Sequence, residues 1–216
     1  MLGVTALAVL ASIGAEAPPS SFSLDVRAVP LSATDPAQTR VGPLLYRGGL
    51  WLRSADPRFG GLSGLQVSPD GGQMVAVSDC GRGFTARLEY GPGGDLAGVG
   101  DATLTELLGP GGRALERDEI DAEGLDPTAD RGVLVVFERR LPRIWSYGPG
   151  LAGFPEARPG PPFGDECDGN RGPEALAHLA DGRLFVACEG GGLEERATAA
   201  WLGREGNWSS RPYPLD

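Results

Sequence analysis

Apolar residues along this chain fall in short runs, and clusters of glycine, proline, aspartate and serine separate them. No stretch carries the three-to-four-residue periodicity of an amphipathic helix, so the pattern predicts short strands joined by tight turns. Three of the runs repeat one another. The first unit reads Gly61-Leu62-Ser63-Gly64-Leu65, a turn through Ser68-Pro69-Asp70-Gly71-Gly72, then Met74-Val75-Ala76-Val77-Ser78-Asp79. The second reads Ala122-Glu123-Gly124-Leu125, a turn near Asp130-Arg131-Gly132, then Val133 to Glu138. The third reads Pro173-Glu174-Ala175-Leu176, a turn at Asp181-Gly182, then Leu184 to Glu189. A further β-rich run follows each: Phe84–Tyr90, Arg143–Tyr147 and Thr198–Leu202.

The aligned leucines stand about 50–60 residues apart, a period suited to a four-stranded propeller blade with loops. The expected fold is therefore all-β, a β-propeller, with an ordinary β-sandwich as the alternative. Taking Asp181-Gly182 as the centre of a two-residue type I′ hairpin pairs Leu176 with Ala187 and sets Glu174 opposite Glu189. The same count about Asp130-Arg131 sets Glu123 opposite Glu138, and about Gly71 it sets Ser63 opposite Asp79. Like charges directly opposite on a sheet destabilise it. Two such pairs at equivalent places call for a compensator: a bound cation, arginines, or protonated carboxyls.

Composition narrows this picture. The formal charge is −10, and all positive charge is arginine, which argues against nucleic acid and is compatible with a cation-binding centre. Residues 1–17 have the form of an export signal: an apolar stretch from Leu2 to Ile13, then Ala15-Glu16-Ala17 as a small-x-small cleavage site. No Arg or Lys precedes the apolar run, and a retained lipid-embedded anchor is the alternative. Export implies a periplasmic or secreted protein without stable membrane association after cleavage. Three cysteines, Cys80, Cys167 and Cys188, leave at least one unpaired, and their spacing does not decide which.

Several strings together resemble the phytase-like family, that of esterase-like activity of phytase. They are Tyr46-Arg47-Gly48-Gly49-Leu50, Asp56-Pro57-Arg58-Phe59-Gly60-Gly61-Leu62-Ser63-Gly64-Leu65, and Asp121-Ala122-Glu123-Gly124-Leu125. Phe137-Glu138-Arg139-Arg140, Arg143-Ile144-Trp145, Glu174-Ala175-Leu176 and Asp181-Gly182-Arg183 continue the set. The resemblance runs from about Phe22 to the end, giving a domain over 22–216. It implies a propeller, export, and hydrolysis of an ester or phosphoester.

A Ser-His-acid triad does not fit. Gly61-Leu62-Ser63-Gly64 brings its second glycine one residue early for a nucleophile elbow, and His178, the only histidine, reads as a mid-strand core residue. Metal-activated water is the better chemistry. The expected metal ligands are Asp79, Glu123, Glu138, Glu174 and Glu189, holding a divalent cation of the calcium type. Glu123 and Glu174 are the expected catalytic carboxylates, with Arg139 and Arg140 recognising a small anionic ester or phosphoester. The bland reading makes each acid a corner that accepts backbone N–H bonds, and Arg139 or Arg140 a salt bridge to Glu123 or Glu138. A non-catalytic binding propeller and a calcium-dependent lactonase-like enzyme are the other functional readings.

Residues beyond the signal hold three to four units, and a strand is expected to begin at Tyr213-Pro214. The family's members usually continue further. The expectation is an incomplete ring, truncated at its C-terminus, that self-associates.

Overall fold

The computed structural model describes residues 20–139, 141–164, 167, 171–189, 197–204 and 206–214. The export segment and Arg140 lie outside them. The chain passes through β1 (Ser20–Ser21), β2 (Asp25–Val29), β3 (Arg40–Val41), β4 (Leu44–Leu45), β5 (Gly49–Arg53), β6 (Leu62–Val67), β7 (Gln73–Ser78), β8 (Arg82–Tyr90) and β9 (Leu96–Glu106). β10 (Ala122–Pro127), β11 (Val133–Phe137), β12 (Arg143–Tyr147), β13 (Glu156–Arg158), β14 (Pro173–His178), β15 (Leu184–Cys188), β16 (Ala197–Arg204) and β17 (Asn207–Pro214) follow. Helical structure among the described residues is confined to short 3-10 turns, two of them three-residue segments.

These strands form three antiparallel sheets in sequence order, as the repeats predict: β6-β7-β8-β9 with β1 added at its outer edge, then β10 to β13, then β14 to β17. Sheets of this kind are consistent with propeller blades. β2 pairs with β5, and β3 with β4, as separate ladders. The Tyr213-Pro214 stretch closes the third sheet as the end of β17, so it does not open another unit.

β11 shows why its sequence is an unbroken apolar run. Val133, Val135 and Phe137 face the first sheet and pack with Val77, Leu107 and Leu151. Leu134 and Val136 face the third and pack with Leu176, Leu184 and Val186. All five are buried, because neighbouring sheets cover both faces. The free face of the first sheet is covered from the N-terminal side, where Phe22, Leu24, Leu52 and Phe59 meet Met74, Ala76 and Phe84. In the third sheet Cys167 and Cys188 form a disulfide beside Trp201. Cys80 is free and exposed.

The hairpin register differs from the expected one by a residue in every repeat. Leu176 pairs with Val186, Leu125 with Val135, and Leu65 with Ala76. The third turn is not the two-residue type. Leu179 N–H donates to Arg183 O and Gly182 N–H to Leu179 O, and of the Asp181-Gly182 pair only Gly182 has positive φ. A type I′ turn needs positive φ at both centres, and an aspartate there adopts it less readily than glycine. The first strand of each hairpin (β6, β10 and β14, the inner strands) then carries a bulge: Leu62 pairs with Ser78, Ala122 with Phe137, and Pro173 with Cys188. Glu123 and Glu174 are the extra residues, so neither faces Glu138 or Glu189 across the ladder, and Ser63 does not face Asp79. His178 ends β14 exposed and touches the Asp126 carboxylate through Nδ1, so it is not a core residue.

Inner strands of adjacent sheets approach backbone to backbone. A Cβ on Gly64 would come within 2.9 Å of Glu123 O, and one on Gly124 within 2.9 Å of Glu174 O and 3.0 Å of the Val136 side chain. Gly124→Ala should therefore cost about 2 kcal/mol in a urea melt, by overpacking against backbone that cannot retreat. Gly93→Ala, which meets only Asp95 Oδ2 at 3.6 Å, should stay within about 0.5 kcal/mol.

Candidate metal centre

Each inner strand starts from the same backbone bond. Asp79 N–H donates to Gly61 O at 3.0 Å, Glu138 N–H to Asp121 O at 2.9 Å, and Glu189 N–H to Gly172 O at 2.9 Å. The residue just past the end of each second strand is thus pinned beside the start of its own inner strand. The bulge comes next, and it bends the strand and re-aims the side chain of the extra residue. Glu123 and Glu174 occupy it in the second and third sheets.

The outcome is a pool of carboxylates from two sheets. Asp121, Glu123 and Glu138 form one group, and Glu138, Glu174 and Glu189 a second. Within each group, one oxygen per residue lies within 4.8 Å of the others. Glu138 belongs to both. It also crosses to the third sheet, where its Oε1 accepts Gly172 N–H at 3.0 Å. Only glycine fits at 172, since a Cβ would stand 2.1 Å from Glu138 Cγ. Ser63, from the first sheet's bulge, lies near Glu123 and partly offsets the rise of its carboxyl.

Four of the expected ligands, Glu123, Glu138, Glu174 and Glu189, come together in this way. Asp79 belongs to neither group; its carboxylate lies over Gly61 and beside Cys80, whose thiol it pushes up. Asp121 is a residue that register counting misses. Its equivalents are Gly61 and Gly172, so the repeat conceals it, and only the quoted motif Asp121-Ala122-Glu123 draws the eye. Arg139 meets Asp121, with Nε 2.6 Å from the buried Oδ2, and not Glu123 or Glu138 as the salt-bridge reading expects. The approach is close, but the N–H is not aimed at the oxygen, so Oδ2 gains an ion pair without a hydrogen bond.

A second arginine braces the loops that carry these groups. The Arg143 guanidinium lies 4.4 Å from the Phe137 ring centre and 4.5 Å from that of Trp145. It donates to Glu119 O on one side and, at 3.0 Å, to Arg139 O on the other. Glu119 is itself held by Arg113 in a two-pronged pair of 2.5 and 2.7 Å. That pairing brings its carboxyl down to about 2. The segments leading into Asp121 and out of Glu138 are thus tied together.

Burial is the main cause that raises three of the clustered carboxyls, and neighbouring negative charge adds to it. Glu123 and Glu138 rise to about 7, and Glu174 to about 6. Carboxyls that touch, as Asp121 does with both Glu123 and Glu138, need a proton or a cation between them. The donor set is oxygen only, with neither histidine nor cysteine in either group. It fits a hard divalent cation such as calcium or magnesium.

The sign of the pH effect follows. Without metal, these glutamates bind protons more tightly folded than unfolded, where 4.5 is ordinary. Their contribution to stability is whole below that value and is lost as pH rises through about 7. Asp56 and Glu119, both lowered to about 2, titrate below this window. The melting temperature of chelated protein should fall between about pH 5 and about pH 8. Glu123→Gln should flatten the fall, and calcium should reverse it most at the alkaline end. A melting temperature independent of pH across that range would contradict the clustering.

No curated protein matches the chain. A family model described as phytase-like, esterase-like activity of phytase, matches residues 57–216, which contain β6 to β17 and every carboxylate of the cluster. The chain belongs to the phytase-like family.

Proposed function

We propose that this protein is an exported propeller hydrolase that cleaves a small anionic ester or phosphoester at the carboxylate cluster, with calcium as the resident cation. The observation that carries the reading is the sharing of Glu138 between two oxygen-only groups, in a pool where acids outnumber the nearby arginines. Membership of the phytase-like family supports the same chemistry. A bound divalent cation would supply charge neutralisation and an acidified water. Glu138 would hold it together with Asp121 in one group or with Glu189 in the other. Glu123 and Glu174, with proton affinities near neutrality, suit the exchange of a proton with that water. Arg139, half exposed beside Asp121, is the cation nearest to an incoming anion, and Arg140 follows it in sequence. Export is supported by the Cys167–Cys188 disulfide, a bond typical of oxidising compartments.

Hydrolysis of p-nitrophenyl phosphate and p-nitrophenyl acetate, measured after chelation and again with added calcium, tests this. Activity should vanish with chelator and return with the metal. Glu138→Gln should lower it by roughly 100-fold or more and should also blunt the calcium-induced rise in melting temperature. Thermal unfolding unchanged by chelator or calcium would end the metal reading and leave the acids a structural role. Turnover that survives chelation would end the proposed mechanism.

A further inference from the structure

Away from the carboxylates, at the turn end of the inner strands, the first and second sheets diverge and leave a cleft of about 850 Å³. Its two walls differ in chemistry. The wall from the first sheet is one rung of paired strand residues, Gln66, Val75, Thr85 and Thr103, flanked by Gln73 and Thr105. The facing wall is mostly apolar: Pro127, Ala129 and Val133 from the second hairpin, Pro149 and Ala152 from the loop after β12, with Thr128 and Arg131 at its turn. Arg131 is the one charged side chain among its described lining residues.

The cleft between the second and third sheets makes the contrast. It is smaller, about 580 Å³, and Asp130, Glu156, Arg158, His178 and Arg204 reach into it. The rung equivalent to Gln66-Val75-Thr85-Thr103 is Asp126-Leu134-Ser146-Glu156. Charge therefore crosses the second gap, where short neutral hydroxyls line the first. A repeat that needed only to close its interface would use the aliphatic residues found nearer the acid end, where Val77 meets Leu107 and Leu151.

We propose that the cleft between the first and second sheets is a second binding site, for a small neutral ligand with one flat apolar face and a hydroxyl-rich edge, a glycoside in type. The volume suits a ligand of this size, and exposed Arg131 is the one charge the described lining offers an ion, against several neutral hydroxyl and amide groups. Thr85 Oγ1 and Thr103 Oγ1 share one hydrogen bond of 2.6 Å, which leaves that pair a donor and further lone pairs for ligand hydroxyls. The proline and valine wall cannot hydrogen-bond the water it faces, so an apolar ring that displaces this water gains affinity.

Phenyl β-D-glucopyranoside is a suitable probe, titrated in chelator so that the result does not depend on the metal reading. Protein amide shifts should move saturably at Thr85, Thr103 and Ala152, with a dissociation constant on the order of 1 mM. Ala152→Trp, which fills the slot from its apolar wall, should weaken binding ~10-fold or more while the protein still melts cooperatively. Thr85→Val with Thr103→Val, which keeps shape and removes both hydroxyls, should do the same and serves if the tryptophan variant fails to fold. The proposal is overturned if the parent protein shows no saturable shift at these residues. Unweakened binding in a folded variant, or equal binding of phenyl phosphate in this cleft, would overturn it too.

Discussion

Inner strands of neighbouring sheets lie so close that a methyl group would not fit between them. Gly64 sits over the backbone of Glu123 to Leu125, and Gly124 over that of Glu174 to Leu176. Everything at the acid end depends on this approach. It brings Glu123 of one sheet within reach of Glu174 of the next, and it leaves Glu138 space to accept Gly172 N–H from the third sheet. With larger residues at 64 and 124 the strands would separate, and Glu123 and Glu174 would move apart. Burial between sheets draws the strands together. The β11 valines, covered on both faces, each contribute on the order of 1.5–3 kcal/mol.

The cluster opposes that closeness. Its acids are packed where burial and mutual repulsion both penalise ionisation, and the protein retains them. Part of the compensation is built in. Backbone bonds pin Glu138 and Glu189 at the strand ends, Ser63 supports Glu123, Arg139 pairs with Asp121, and Arg143 ties the two adjoining loops. Among the ion pairs of the described residues, only that of Arg139 with Asp121 reaches the five carboxylates, so paired positive charge falls short there. That imbalance joins the fold to the proposed chemistry. A site that served only to close a sheet corner would have no need of acids from two sheets.

The sheets are alike at the acid-bearing end of their hairpins and unlike further out. Near the acids, the repeat imposes one backbone bond, one bulge and one close approach. Further along, the first gap is neutral and hydroxyl-lined, while the second holds charged side chains. Repetition explains the frame. The departures from it, Asp121 where the other units have glycine and Thr103 where the second unit has Glu156, are where specific chemistry can reside.

How much was legible beforehand follows from the range of each interaction. Periodicity is local, so the strand runs were readable: Arg143–Tyr147 is β12 as predicted, and Phe84–Tyr90 and Thr198–Leu202 lie within β8 and β16. The repeat of Glu123-Gly124-Leu125 and Glu174-Ala175-Leu176 likewise marked equivalent places in two sheets. Register was less accessible, because a turn with φ positive only at Gly182 and a bulge at Glu174 each shift the count, and neither has a strong local signal. The contacts of Asp121 and Arg139, the exclusion of Asp79 from both groups, and the exposed contact of His178 with Asp126 depend on residues from separate strands or loops. By itself the sequence determined an all-β chain of repeated hairpins with acids at matching positions, since those properties are written in neighbouring residues. Which carboxylates share a site was decided only by tertiary structure, because it depends on how closely one inner strand can lie against the next.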